Sequence, residues 1–192
     1  MTSLPLPGQL PSGSFQNFPN SSTSIIRYKN MDLFFTTITW LGSLYLLFPL
    51  SVLLCFLLLW AGKSGHVILI ALNVSVTILS VHVVKLMFRR PRPSTTDLLV
   101  TMPSDWSFPS AHTAQATAFF MSVTLIAFQV LPPVWANLFA LLSLLLVGMV
   151  GYSRIYLQVH YVSDVLAGMF LAAFIVSGVR LIIPILPWVQ TK

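Results

Sequence analysis

Apolar residues run in long blocks along this chain, and short polar breaks divide them. Beyond residue 25 the first block continues to Ala61, longer than one membrane crossing needs. Gly42 and Pro49 interrupt it. This predicts a short helix lying at the membrane interface over 31–42 and a first span over 43–61, about 28 Å long at ~1.5 Å per residue. One long tilted helix is the alternative. Lys63, Gly65 and His66 then form a turn. A second span is predicted from about 66 to 88, ending in KLMFRRPRP, where Pro91 and Pro93 stop a helix. A polar loop holding Asp97, Asp105 and Trp106 follows. Ser110 stands where an N-cap belongs, ahead of a third span over 111–131. Pro132 and Pro133 lead into a fourth span over 134–152, and the polar segment 153–164 leads into a fifth that ends near Ile183. Pro184, Pro187 and Trp188 close the chain, with the indole at interface level.

The expected fold is therefore all-α: a multi-pass transmembrane helix bundle with about five spans plus an N-terminal interfacial helix. Residues 1–30 are expected to form a flexible tail and 31–192 a single membrane domain without internal repeats. The first 25 residues have no cationic stretch leading into an apolar one, so they do not read as a cleaved signal peptide. Asn20-Ser21-Ser22 is only a weak match to a glycosylation acceptor.

Antiparallel spans must alternate in direction. The second span ends at 85–92, the third begins at 110–112 and the fourth ends at 153–154. All three segments consequently emerge on one membrane face and converge on one mouth.

Composition supports the membrane reading. Of 192 residues, 56% are hydrophobic and only 7% charged, with a mean hydropathy of +0.87. A soluble domain carries about a quarter charged residues. The formal charge of +6 would ordinarily suggest nucleic acid. It does not here, because the basic residues sit at the ends of apolar runs. Cys55 is the sole cysteine and lies inside such a run, so it reads as a buried small hydrophobe, with no disulfide framework or zinc cluster.

Against that apolar background, SRIYLQVHYVSD over 153–164 stands out. If the segment after Tyr156 is helical, His160 and Asp164 share a face, and the carboxylate can accept the Nδ1 proton of the imidazole. That leaves the Nε2 lone pair free to attack. Arg154 brings a planar cationic donor suited to phosphate oxygens. Taken alone, His160 is equally well a structural residue beside an incidental carboxylate. Lys85 and Arg92 fit snorkelling charges at a span end, and Arg89 and Arg90 fit that description or headgroup contact better still. Pro109-Ser110-Ala111-His112 is more informative, because a helix N-terminus presents free N–H groups to an anion. Ser110 can cap that helix and also donate to a phosphate oxygen, and His112 can protonate a leaving oxygen. His82 shares the face of Lys85 and reads as a buried hydrogen-bonding residue. A metal on His112, His160 and Asp164 matches a facial triad. The cations Lys85, Arg92 and Arg154 around the same point argue instead for an anion.

Together, Lys85-x6-Arg92-Pro93, Pro109-Ser110-Ala111-His112 and Ser153-Arg154-x5-His160-x3-Asp164 resemble the tripartite signature of the type-2 phosphatidic acid phosphatase superfamily. These are metal-independent membrane phosphatases that share a phosphate site with soluble vanadium haloperoxidases. The resemblance covers residues from about 85 to 164. It implies that His160 attacks phosphorus, oriented by Asp164, that His112 serves the leaving alcohol and then water, and that Lys85, Arg92, Ser110, Ala111 and Arg154 hold the phosphate. Ala111 stands where the family usually has Gly, and six spans are commoner than five.

The implied function is hydrolysis of a lipid phosphomonoester or diphosphate through a phosphohistidine, without metal or other cofactor. Phosphatidic acid, phosphatidylglycerophosphate and undecaprenyl diphosphate are the candidate substrates. Membrane lipids are the expected partners, and nucleic acid is not. The alternative is a lipid-phosphate binder or transporter using the same pocket without catalysis. A cell-membrane location follows. Four basic residues on the active-site face (Arg27, Lys29, Arg89, Arg90) against three opposite (Lys63, Arg180, Lys192) leave orientation undecided by charge. The family points to an outward-facing mouth in bacteria.

Overall fold

The computed structural model describes residues 29–94 and 98–182. The expected tail (apart from Lys29 and Asn30), the Asn20 motif, Asp97 and the closing Pro184, Pro187 and Trp188 lie outside the described residues. The helices are α1 (Lys29–Ile38), α2 (Leu44–Trp60), α3 (Ser64–Phe88), α4 (Ala111–Val130), α5 (Pro133–Tyr156) and α6 (Val162–Ile182), with a 3-10 turn at Thr39–Gly42 between α1 and α2. Among the described residues no strand occurs.

Helices α3 to α6 are each long and apolar enough to cross a membrane. The segment 29–42 and α2 meet at a 44° bend, so the first apolar block is broken at Ser43. Ser43 is extended and its hydroxyl accepts the Tyr45 N–H, which starts α2 afresh. The break falls at Gly42 and not at Pro49, which sits inside α2. Pro49 lacks only one amide donor there, and the helix carries on past it.

Several boundaries differ from expectation. Helix α3 begins at Ser64, so Gly65 and His66 lie within it and the turn is confined to residues 61–63. Helix α5 runs to Tyr156, four residues beyond the expected end, because no residue before Leu157 disrupts its ladder. Ser153 and Arg154 therefore belong to its last turn.

The bundle is built around α4, which packs against α3, α5 and α6 and is the most buried helix. Its sequence explains this. Small residues at Thr113, Ala114, Ala116, Thr117, Ala118 and Ser122 are buried and let neighbouring backbones approach closely. Gly168 on α6 sits so near that a Cβ there would lie 2.6 Å from the Ser110 carbonyl oxygen. Asn73 of α3 donates to Ser122 Oγ at 2.8 Å, a polar tie inside the apolar slab. The outer faces carry exposed Leu, Phe, Val and Trp, such as Phe56, Leu79, Leu144 and Phe174. In water such a surface would aggregate; in lipid it is the solvated face.

Candidate active site

Four helix ends and the loop before α4 surround a cavity of about 360 Å³ on one face of the bundle. Its walls include Ser43 to Tyr45 of the α2 start, His82 and Lys85 of α3, Arg92, Asp105 of the loop, Ala111, His112 and Gln115 of α4, Arg154 of α5, and His160. The convergence expected from alternating spans is present. Tyr45 and His82 on this wall are both exposed. His82, expected to be buried, is instead exposed, with Nδ1 2.8 Å from the Ile78 carbonyl.

Lys85 is buried in the last turn of α3, donates to the Trp106 carbonyl and pairs with Asp105 Oδ2 at 3.0 Å. Arg89 ends that helix in a left-handed conformation, and the following chain is extended, so Arg92 reaches the cavity by its own path and not along a helix face. Its Nε donates to the Asp105 carbonyl at 2.9 Å and its Nη1 to the Val159 carbonyl at 2.8 Å. Nη2 pairs with Asp105 Oδ1 at 2.5 Å. Burial pushes the Asp105 carboxyl up, but hydrogen bonds and charge from Lys85 and Arg92 outweigh it and hold the group below the usual carboxylate range.

Arg92 Nη1 also lies 3.2 Å from His160 Nε2. A guanidinium can only donate, so Nε2 accepts, with its lone pair directed at Arg92 on the cavity wall. The proton is then on Nδ1, which faces Asp164 Oδ2 and Ser107 Oγ, each at 3.4 Å. Burial, with Arg92, Arg154 and Lys85, lowers the imidazole to about 4 against the raising effect of the Asp164 hydrogen bond, so it is neutral at pH 7.

The route to this pairing differs from the expected one. His160 precedes α6, which begins at Val162, so His160 and Asp164 do not share a helix face. Asp164 instead folds back over the start of its helix and accepts the Tyr161 N–H at 2.9 Å. A local left-handed turn at Gln158 (φ 58°) re-aims the chain after α5 and makes this possible.

Asp164 is fully buried and has more partners than one imidazole. Arg90 Nη1 donates to Oδ1 at 2.7 Å and to Ser163 Oγ at 2.6 Å, and the guanidinium lies over the Tyr161 ring, 4.1 Å from its centroid. Ser107 Oγ donates to Oδ2. Sequence reasoning assigned Arg90 to the membrane surface and passed over Ser107. The available signal was Asp164 itself, because a carboxylate removed from water needs several donors.

Arg154 is buried, with Nη1 donating to Thr39 Oγ1 at 2.8 Å and Nε left without a partner among the described residues. Its unused donor suits an oxyanion in the cavity. Ala111 opens α4 with an ordinary helical φ, so the Ala-for-Gly exchange leaves the backbone unstrained there. Ser110 occupies the N-cap position but makes no side-chain cap; its hydroxyl pairs with Thr113 Oγ1 at 2.9 Å and does not line the cavity. Its backbone N–H donates to the Asp164 carbonyl at 2.9 Å and ties the starts of α4 and α6 together. Of the eight residues singled out from sequence, Lys85, Arg92, Ala111, His112, Arg154 and His160 line one cavity, while Asp164 and Ser110 stand directly behind it. Among the described residues no three His, Cys, Asp or Glu side chains gather closely enough to hold a metal ion.

Comparison with known proteins bears on this geometry. The model of the PAP2 superfamily matches residues 65–187. Phosphatidylglycerophosphatase B of Bacillus subtilis (strain 168) is 30% identical over 159 residues, 80% of this chain and 77% of that protein. An undecaprenyl-diphosphatase of Sulfolobus acidocaldarius is 34% identical over 80 residues, 42% of this chain and 35% of its own length. The crystal structure of a transmembrane PAP2 type phosphatidylglycerolphosphate phosphatase from Bacillus subtilis superposes with a TM-score of 0.75 at 29% identity, covering 81% of this chain and 77% of that one. Aquifex aeolicus LpxE does so with a TM-score of 0.62 at 27% identity, covering 80% and 87%.

Proposed function

The chain belongs to the PAP2 superfamily and is a membrane lipid phosphatase, and from that premise we propose that it hydrolyses a lipid phosphomonoester, phosphatidylglycerophosphate first, through a phosphohistidine on His160. One observation carries the reading: the unprotonated Nε2 of a neutral imidazole lies against Arg92 in a cavity walled by Lys85, Arg92, Arg154 and the start of α4, where a bound phosphate would draw the Arg92 N–H away and free the lone pair. Binding alone does not call for an imidazole with a fixed tautomer, which disfavours the non-catalytic alternative.

Phosphoryl transfer needs charge neutralised on the equatorial oxygens and an in-line nucleophile and leaving group. Lys85, Arg92, Arg154 and the Ala111 amide supply the first. His160 Nε2 forms the N–P bond as the P–O bond to the lipid breaks, and the Nδ1 proton stays toward Asp164. Protonated His112 gives its proton to the departing alkoxide. Neutral His112 then takes a proton from water as the water oxygen attacks phosphorus, the N–P bond breaks and inorganic phosphate leaves. The exposed wall at Tyr45 and His82 suits entry of a headgroup whose tail remains in lipid.

The longer match to phosphatidylglycerophosphatase B supports the monoester. The shorter match to an undecaprenyl-diphosphatase makes a polyprenyl diphosphate the second reading. Purified protein in detergent micelles, offered both lipids and phosphatidic acid, tests this by phosphate release. Release fastest from phosphatidylglycerophosphate is expected, and none from any of the three would overturn the reading. For a bacterial source, we place the mouth on the outer face of the cell membrane. A Thr101→Cys variant in a Cys55→Ser background should be labelled by an impermeant maleimide from outside intact cells; labelling only after lysis would reverse the orientation.

A further inference from the structure

Asp105 holds two of the three cations that the proposed reaction needs. Its Oδ2 lies 3.0 Å from Lys85 Nζ and its Oδ1 pairs with Arg92 Nη2, while Arg154 donates to Thr39 Oγ1. Its side chain is 51% exposed at the cavity rim, so it can swing away without unpacking the bundle. We propose that Asp105 is an internal competitor, a built-in carboxylate that an incoming phosphate must displace from Lys85 and Arg92, and that this threshold keeps the cavity clear of singly charged diester lipids while a doubly charged monoester still enters. The proposal rests on the phosphate-binding reading of the cavity.

The selection follows from charge. A bilayer surface is crowded with phosphodiester headgroups, each carrying a single negative charge. A diester that displaces Asp105 swaps one unit charge for another and gains no Coulomb energy at the two cations. A phosphomonoester carries about −1.5 to −2 at pH 7 and does gain. The terminal phosphate of a diphosphate behaves as the monoester does. Asp105 therefore raises the threshold for entry by a fixed amount that only a doubly charged group overcomes. Without such a device, a cavity with three cations in a membrane protein would fill with its own solvent lipid.

The experiment compares wild type, Asp105→Asn and Asp105→Glu in mixed micelles, with a monoester lipid as substrate and phosphatidylglycerol, a diester, as competitor. In Asp105→Asn the inhibition constant of the diester should fall about tenfold, with the monoester KM falling alongside it, the scale of one half-exposed charge at contact distance. Asp105→Glu should restore the wild-type inhibition constant. Asp105→Ser serves as the uncharged variant if the amide does not fold. An unchanged or increased diester inhibition constant in a folded uncharged variant overturns the proposal. Inorganic phosphate should compete with substrate in the wild type and lose that effect in Arg92→Met. If it does not compete, the binding reading falls and this proposal with it; if it competes and the diester inhibition constant is unchanged, only the role of Asp105 falls.

Discussion

The guanidinium of Arg90 lies 2.7 Å from Oδ1 of Asp164, so the carboxylate behind His160 is held from two sides. Oδ2 receives Ser107, the Tyr161 amide and the imidazole; Oδ1 receives Arg90. Ser107 is in turn anchored by its N–H to the Arg90 carbonyl at 2.9 Å. The end of α3, the loop and the start of α6 are thereby joined at one carboxylate.

Arg90→Gln should lower stability by about 1–3 kcal/mol, the cost of leaving a buried acceptor short of a donor. It should reduce kcat more than KM, because the imidazole loses its fixed support while the cavity cations remain. Thermal unfolding and steady-state kinetics read both quantities. An unaltered kcat would show that Tyr161 and Ser107 suffice.

His160→Ala should abolish turnover, and Asp164→Asn should reduce kcat by about 10²-fold or more, the usual range for lost acid–base assistance. His112→Ala should accumulate labelled phosphoprotein if leaving-group departure is less impaired than dephosphorylation. Full activity in folded His160→Ala protein would end the nucleophile assignment.

The pH profile follows from the lowered imidazole. Its pKa of about 4 sits below the ordinary value, so the attacking form persists as pH falls from 7 to 5 and is lost on passing through about 4. The His160 imidazole of the free protein, followed by NMR titration, should show its midpoint there. A midpoint near the ordinary histidine value of ~6.5 would mean that Arg92, Arg154 and Lys85 do not surround it as described.

Gly168→Ala tests the contact between α4 and α6. The added Cβ would meet the Ser110 carbonyl oxygen at 2.6 Å and the Ala114 nitrogen at 3.3 Å, both backbone atoms that cannot rotate away. A loss of about 1–3 kcal/mol is expected from the overlap. Activity should fall as well, since Ser110 and Asp164 are bonded through that contact.

Dialysis against EDTA should leave turnover unchanged, and vanadate should inhibit competitively. Activity that vanished on chelation and returned with a divalent cation would bring back a metal held by His112, His160 and Asp164.

The gathering of distant segments was legible because it depends only on span count and direction. Lys85, His112, Arg154 and His160 follow from that rule and from residue type. The residues that escaped notice reach the site by routes without periodicity. Arg90 lies past a left-handed turn and just before Pro91, where side-chain direction is not set by a repeat. Ser107 sits in a loop and resembles any other loop serine until its neighbours are known. Thr39 is more than a hundred residues from Arg154 in the chain, and no pattern in the first apolar block marks it as a partner. The expected helical pairing of His160 with Asp164 reached the right neighbours by the wrong backbone. A four-residue spacing also fits a side chain folding back over the first turn of a helix.

The bend at Ser43 has a practical consequence for handling the protein. Thr39 grips Arg154, Asp32 accepts the hydroxyl of Tyr156 at 2.7 Å, and Phe35 stacks against that ring. The leading segment thus braces the end of α5 that carries Arg154. A purification tag or fusion partner placed directly before Lys29 would crowd that brace, and shortening the chain into α1 would leave Arg154 without its hydroxyl neighbour. Variants made for crystallisation or assay are better cut and joined well upstream.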